Sequence, residues 1–208
     1  MIILNKEIEK QLYSELSSLT KNKELWEENI DYVGSLLENQ SLKITAKALW
    51  MLGEMGLQYP DRAKPYIKKI VSFLNSTYDL LRERSLNALG RIGRADFELI
   101  KCYFDKIMDL SKDSCPNVRL SFIWASENIA TTTPTAYKEH ISIFVKLLDD
   151  ENNRVRMEAP EMFRVLGKRK PEYVKKYIEK LTYISENDIE RVVRIHSKGA
   201  IKAILSNI

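Results

Sequence analysis

The sequence predicts an all-α solenoid of stacked helix pairs, because two patterns recur along it at the same step of 37 residues. The first pattern is apolar. Three positions carry an apolar residue in every copy: Ile30, Ile67, Phe104, Ile141 and Ile178; Val33, Ile70, Ile107, Phe144 and Leu181; and Leu36, Phe73, Leu110, Leu147 and Ile184. Only 44% of the chain is apolar, so this agreement indicates structural copies. Self-similarity at a fixed period is the signature of a repeat protein.

The second pattern is a polar turn that follows each apolar stretch. Its first position carries a short polar side chain in every copy: Asn39, Ser76, Asp113, Asp150 and Asn187. Six residues later come Thr45, Arg82, Arg119 and Arg156, and in the last copy Arg194 is one residue out of step. Short polar side chains accept hydrogen bonds from the free N–H groups at a helix start. Each turn is therefore predicted to open a second helix.

The residues after each turn have the spacing of a helix with one buried face. Their apolar or small positions are Ile44, Ala48, Met51, Leu52 and Met55; Leu81, Ser85, Ala88, Leu89 and Ile92; Val118, Phe122, Ala125 and Ile129; and Val155, Ala159, Met162, Phe163 and Leu166. Steps of four, three, one and three residues keep side chains on one side of an α-helix. These positions are predicted to form the core.

Asp113 with Arg119 and Asp150 with Arg156 are similar to the ladder pair of the HEAT-repeat family, whereas Asn39 with Thr45 departs from it. The resemblance covers about residues 24 to 205. It implies a right-handed α-solenoid of about five two-helix HEAT-like repeats, an armadillo-like architecture in which the second helices line a concave surface. HEAT solenoids serve many unrelated roles, so the resemblance indicates a fold and leaves the function open.

The repeats are predicted at about 24–56, 60–93, 97–130, 134–167 and 171–205. A helix over residues 5–19, opened by Asn5, is predicted to cap the N-terminal end of the array. Pro65 is expected to make the first helix of the second repeat bend or restart, because proline cannot donate a backbone N–H. No Gly/Ser-rich linker interrupts the array, so residues 1–208 are expected to form a single domain.

The composition favours a cytoplasmic, non-enzymatic protein. No apolar run approaches the ~20 residues that a membrane span needs, and the first residues are too briefly apolar for a signal peptide. Cys102 and Cys115 are predicted to lie too far apart for a disulfide. His140 and His196 have no histidine or cysteine partners near them in the sequence. No catalytic, cofactor-binding or metal-binding set can be assembled, and no membrane partner is expected.

Charge is distributed unevenly along the chain. Residues 1–41 hold four lysines, no arginine and eight acidic residues, whereas residues 168–208 hold ten basic and five acidic residues. The densest basic group is formed by Lys168, Arg169, Lys170, Lys175 and Lys176. It is interpreted either as a solvated turn and helix face or as a contact for phosphates or an acidic protein.

The face of the second helices opposite the core stripe is the predicted partner-binding surface. At 100° per residue its central column is Trp50, Asn87, Trp124 and Glu161. With the flanking columns, the candidate binding residues are Lys47, Trp50, Arg84, Asn87, Arg91, Trp124 and Asn128. Tryptophan and arginine are common anchors of protein interfaces. The alternative is that each tryptophan folds sideways and fills a groove between repeats.

The most direct functional prediction is a non-catalytic scaffold or adaptor that holds an extended acidic or amphipathic segment of another protein in its concave groove. The alternative is a nucleic-acid-binding HEAT-like protein, of the kind that repairs alkylated bases in DNA. No oligomeric state follows from the sequence. The ladder also predicts that Arg119 and Arg156 bridge turns of their own or neighbouring repeats, with Asp150→Ala costing roughly 1–2 kcal/mol.

Overall fold

The computed structural model describes residues 6–208 of the chain as an all-α protein. In chain order its α-helices are α1 (Lys6–Lys21), α2 (Trp26–Ser35), α3 (Leu42–Gln58), α4 (Pro60–Ala63), α5 (Ile67–Ser72), α6 (Asp79–Ala95), α7 (Phe104–Asp109), α8 (Pro116–Thr132), α9 (Ile141–Leu147), α10 (Asn153–Arg169), α11 (Pro171–Val174), α12 (Ile178–Asn187) and α13 (Arg191–Leu205). The predicted second helices are α3, α6, α8, α10 and α13. The predicted capping helix is α1, and Asn5 lies outside the described residues.

The first helix of each later repeat is divided, which the two-helix prediction did not include. A short 3₁₀ turn stands directly before α5, α7 and α12, at Lys64–Tyr66, Lys101–Tyr103 and Lys175–Tyr177. Pro65 lies in the first of these turns, as expected, but the other two contain no proline. The division therefore belongs to the repeat and does not depend on Pro65. Repeats of two and of three helices both occur in this class of solenoid.

The polar turns share one hydrogen-bonding pattern. In each, the side-chain oxygen of the turn residue accepts from the backbone N–H two residues later: Asn39 from Ser41, Ser76 from Tyr78, Asp113 from Cys115, Asp150 from Asn152, and Asp188 from Glu190. This local bond favours a turn over continued helix. The last member is Asp188 and not the predicted Asn187, because α12 is longer and the repeat slips by one residue.

The residue six positions after each turn residue stabilises the turn with a second hydrogen bond. Its side chain donates to the turn residue's backbone carbonyl in all five copies: Thr45 to Asn39, Arg82 to Ser76, Arg119 to Asp113, Arg156 to Asp150, and Arg194 to Asp188. Arg194 thus lies six residues after Asp188, which is the same spacing as in the other four copies. These bonds satisfy carbonyl groups that the preceding helix leaves without an intrahelical partner.

The core is the one that the 37-residue pattern predicts. The middle column, Val33, Ile70, Ile107, Phe144 and Leu181, is completely buried. Of the fifteen patterned first-helix positions only Phe73 and Ile178 are half-buried, and the other thirteen are buried. Ser85 is the polar member of the second-helix stripes, and its hydroxyl donates to the carbonyl of Ile70 at 2.7 Å. Buried polar groups require such a partner.

Contacts divide the chain into two units, one ending at Met108 and the other running from Asp109 to Ile208. In the first unit α3 packs against α1, α2 and α6. In the second unit α10 packs against α8 and α13. Among residues 6–208, no helix has both the length and the apolar character that crossing a bilayer requires. The single-domain organisation stays a prediction.

The approach of α3 to α6 depends on Gly53, and Gly53→Ala is expected to lower the free energy of unfolding by about 1–3 kcal/mol. A Cβ atom there would lie 2.7 Å from the backbone Cα of Ala88, so one helix must move. Chemical denaturation measures the loss. Gly199→Ala in α13 is the control, since its nearest neighbour would be Arg164 Cδ at 3.7 Å. There alanine's helix propensity should raise stability by about 1 kcal/mol, and equal effects at the two sites would contradict the close approach.

Candidate partner-binding surface

The first unit contains a pocket of about 560 Å³ bounded by α1, α3 and α6. It is lined by Glu9, Tyr13, Ser41, Leu42, Lys43, Ala46, Lys47, Trp50, Leu80 and Arg84. Lys43, Lys47 and Trp50 line it together because steps of four and three residues keep side chains on one helix face. Binding pockets for small ligands have volumes of roughly 300–1,000 Å³. Three of the seven predicted binding residues, Lys47, Trp50 and Arg84, line this pocket.

The aromatic side chains of the pocket carry lysines on their faces. Lys47 Nζ lies 4.4 Å from the ring centroid of Trp50, and Lys43 Nζ lies 4.0 Å from that of Tyr13. Such cation–π contacts hold long side chains in defined positions. Trp50 is half-buried, so its indole is neither lost in the core nor fully open to solvent. Trp50 is therefore not fully buried in a groove between repeats, which was the alternative considered for it.

Lys47 and Arg84 bring two positive charges to the same pocket. Partial burial lowers the pKa of the Lys47 ammonium, and the positive charge of Arg84 lowers it further. Within residues 6–208, neither side chain has a carboxylate at ion-pair distance. The nearby acid Glu9 instead accepts a hydrogen bond of 2.6 Å from the Ser41 hydroxyl. The pocket therefore presents two cations whose charge is not neutralised by a direct partner.

Arg91 and Asn87 are placed differently from the other predicted residues of the first unit. Arg91 Nε forms an ion pair of 2.7 Å with Glu54, and both side chains are about a quarter exposed. Arg91 also donates through Nη1 to the carbonyl oxygen of Asn87 at 3.2 Å. Arg91 thus connects α6 to α3 and is already paired. Neither Asn87 nor Arg91 lines the pocket.

Trp124 and Asn128 belong to the second unit. Trp124 lies on α8 and is 39% exposed, which makes it the most accessible tryptophan of the chain. Asn128 donates through Nδ2 to the carbonyl oxygen of Trp124 at 2.9 Å, one helical turn away. The indole of Trp124 therefore lies outside the core, whereas its role in binding a partner stays a prediction. Glu161, which shares its column on α10, is instead buried with 6% exposure.

Glu127 on α8 lies close enough to Glu158 and Glu161 on α10 to feel their charges, and this grouping was not predicted from the sequence. Burial, reinforced by the negative charges of Glu158 and Glu161 and opposed by Arg164, raises the pKa of Glu127 to about 9. Oε1 of Glu127 is buried and has no hydrogen-bond partner within the described residues. Desolvation of this kind disfavours the charged form of a carboxyl group. The helical positions of these acids resembled a solvated face, so the sequence carried little signal of their burial.

Glu161 differs from Glu127 in having direct side-chain partners. It forms an ion pair with Arg164 one turn later, and Oε1 lies 3.5 Å from Nδ1 of His196 on α13. That nitrogen is only 2.7 Å from the carbonyl oxygen of Met157. Since a carbonyl can only accept, Nδ1 carries the imidazole proton. His196 therefore connects α13 to α10 in a structural role.

The alternative basic patch is an exposed turn and helix start. Lys168, Arg169, Lys175 and Lys176 are exposed, and Lys170 is half-buried with Glu172 at 3.9 Å. Lys176 Nζ lies 5.1 Å from the ring centroid of Tyr177. The three pockets identified within residues 6–208 are lined by other side chains. The patch offers exposed positive charge.

Comparison with known proteins gives structural likeness alone. No family model matches the chain, and no curated protein matches it. Among solved structures, an engineered protein from a structural genomics consortium matches with a TM-score of 0.68 and 18% identity over 93% of this chain and 84% of its own. At this identity the match establishes the fold, which is that of an α-solenoid repeat protein.

Two further matches are designed armadillo repeat proteins. One was solved in complex with the peptide (KR)4 and matches with a TM-score of 0.65 and 18% identity, over 92% of this chain and 86% of that one. Another is described as computationally designed for modular peptide recognition, with a TM-score of 0.62, 19% identity and 96% of each chain covered. The chain is thus similar in fold to proteins built on stacked helical repeats.

Proposed function

We propose that this chain is a non-catalytic scaffold that holds an extended acidic or amphipathic segment of a partner protein. The pocket beside Trp50 carries the proposal, because Lys47 and Arg84 line it and neither has a carboxylate at ion-pair distance among residues 6–208. Repeat proteins with open helical surfaces commonly bind extended chains. The designed armadillo proteins of similar fold, one of them in complex with a peptide, add support.

The turn ladder supports the narrower assignment of the repeats to the HEAT class. Arg119 bridges from its own turn at Asp113 to Asp150 of the next repeat, and Arg156 bridges from Asp150 to Asp188. Continuous turn-to-turn pairing is the feature on which the resemblance to that class rests. The divided first helices point instead to an armadillo-like arrangement. The repeats therefore combine a feature of the HEAT class with a feature of the armadillo class.

Selection from a random, displayed peptide library tests the proposed function. Peptides that bind the wild-type chain are expected to be enriched in Asp and Glu and to lose about thirty-fold in affinity on Trp50→Ala, as at a hot spot of about 2 kcal/mol. Arg84→Ala should weaken the same peptides, because their carboxylates lose a cation. Circular dichroism confirms that both variants are folded before affinities are compared.

The control variant is Arg169→Ala, which removes one exposed cation from the alternative basic patch. Its affinity for the selected peptides should equal that of the wild type. If Arg169→Ala loses binding and Trp50→Ala retains it, the site lies at the basic turn. If no peptide is enriched and the chain binds random duplex DNA with a steep salt dependence, the scaffold proposal is wrong and the nucleic-acid alternative replaces it.

A further inference from the structure

The pocket beside Trp50 has an apolar floor. Leu42 and Ala46 on α3 and Leu80 on α6 line it, and Ala46 is buried while Leu42 is 36% exposed. Each exposed apolar side chain gains free energy when a ligand removes it from water. This part of the pocket therefore favours an aliphatic or aromatic group.

The rim of the same pocket is cationic. Lys43, Lys47 and Arg84 supply three positive charges, and Glu9 supplies one negative charge that already accepts a hydrogen bond from Ser41. The depressed pKa of Lys47 shows that burial and the Arg84 charge both disfavour its protonated form. An anion beside Lys47 and Arg84 would relieve that repulsion. Guanidinium groups also suit the planar geometry of a carboxylate.

The lysine on Trp50 decides which surfaces remain for a ligand. One face of the indole is covered by Nζ of Lys47. A ligand carboxylate can pair with that ammonium without displacing it. Apolar contact is then made with the floor residues Leu42, Ala46 and Leu80. Leu80 and Arg84 lie four residues apart on α6, so the apolar and cationic contacts there are about 6 Å apart, and one ligand can satisfy both.

We infer that the pocket accepts a linear segment in which an acidic residue at position i and an apolar residue at position i+2 point to the same side. The inference rests on the proposed function. It requires that the bound segment be both acidic and amphipathic, with the two residues at a fixed spacing. Side chains two residues apart in an extended chain share a face and stand about 6.6 Å apart. The acidic group lies between Lys47 and Arg84, and the apolar group lies on Leu42, Ala46 and Leu80.

The pattern also explains which segments the pocket rejects. A segment with acids alone leaves the apolar floor exposed to water and gains nothing from it. A segment with apolar groups alone removes water from two cations and supplies no anion, which costs free energy. Selectivity thus arises from both the attraction and the penalty.

The test uses four capped eight-residue peptides with Gly/Ser flanks, whose centres are Glu-Ser-Leu, Gln-Ser-Leu, Glu-Ser-Ser and Glu-Leu-Ser. Binding is followed by NMR through the indole N–H signal of Trp50, with the signal of Trp124 as an internal reference. Glu-Ser-Leu should bind at least five-fold more tightly than each of the others. The last peptide has the same composition but places its two side chains on opposite sides.

Variants of the chain test which residues create each preference. Arg84→Gln should bring the ratio of the affinities for Glu-Ser-Leu and Gln-Ser-Leu towards one. Leu80→Ser should bring the ratio of the affinities for Glu-Ser-Leu and Glu-Ser-Ser towards one. Lys68→Gln removes an exposed cation of α5 and is the matched control, so it should leave both preferences unchanged. Hexanoate is the free amphiphilic anion in the series, and it should bind more weakly than Glu-Ser-Leu.

The outcomes separate this inference from the proposed function. If library peptides bind at Trp50 but Glu-Ser-Leu and Gln-Ser-Leu bind equally, the inference is wrong and the scaffold function stands. Equal binding of Glu-Ser-Leu and Glu-Leu-Ser also overturns the i, i+2 pattern. If hexanoate binds as tightly as the peptide, the pocket is a small-molecule site. Failure of every library peptide would overturn the proposed function itself.

Discussion

Asp150→Ala is expected to lower the free energy of unfolding by about 3 kcal/mol, the low end of the range for breaking a buried ion pair. Both oxygens of Asp150 are used: Nε and Nη2 of Arg119 donate to them at 2.8 and 2.7 Å, and Asn152 N–H donates at 2.9 Å. The side chains of Arg119 and Asp150 are only 9% and 8% exposed. This cost exceeds the value expected from the sequence, because the pair is bidentate and buried.

The expected loss of unfolding free energy lies at the low end of the range for a buried ion pair, because Arg119 keeps other hydrogen-bond acceptors. Its Nη1 still donates to the carbonyl oxygens of Asp113 at 2.8 Å and Ser114 at 3.4 Å. Urea denaturation measures the change. Asp149→Ala is the matched control, since Asp149 precedes Asp150 but is 62% exposed and pairs with Lys180. An exposed pair contributes below about 1 kcal/mol. Equal losses for the two variants would refute the buried ladder.

Glu127→Gln is expected to stabilise the chain by roughly 3 kcal/mol at pH 7. Burial, reinforced by the charges of Glu158 and Glu161, raises the pKa of Glu127 from 4.5 to about 9 in the folded chain. The folded chain therefore keeps a proton that the unfolded chain releases. That difference lowers stability progressively as pH rises from about 4.5 to about 9. Glutamine has nearly the same shape and no proton to lose, so it removes the penalty.

The pH dependence of this gain is its diagnostic feature. Relative to wild type, the stabilisation should be close to zero at pH 4, grow between pH 5 and pH 9, and then level off. Thermal or urea unfolding at a series of pH values measures it. Glu186→Gln, at an exposed position of α12, should change stability little at any pH. A Glu127→Gln effect that is constant with pH would show that the carboxyl group is not held protonated.

Most of the repeat architecture could be predicted from the sequence because the same burial requirement recurs every 37 residues. Ile70, Ile107 and Phe144 occupy one column, and each is completely buried. The turn residues were equally predictable, since short polar side chains have a direct bonding role at helix starts. The slip from Asn187 to Asp188 was missed, because both residues suit that role and only the length of α12 decides between them.

The candidate site was predictable only in part. Helical periodicity brought Lys47 and Trp50 to one face, and the pocket confirms that they lie together with Arg84. The contribution of α1 was missed, because no periodic pattern shows that Glu9 and Tyr13 meet α3. Side-chain pairing also escaped the sequence, as the ion pair of Arg91 with Glu54 shows. Such contacts depend on the distance between helices and on rotamers.

The scaffold proposal is tested most directly by the indole N–H signals of the three tryptophans during titration with a library-selected peptide. Trp26 is the internal reference, because it is buried and its Nε1 donates to the carbonyl oxygen of Leu19 at 2.9 Å. We expect the Trp50 signal to shift and saturate while that of Trp26 stays in place. Binding that leaves Trp50 unmoved and shifts only the backbone signals of residues 168–176 would contradict the proposed site.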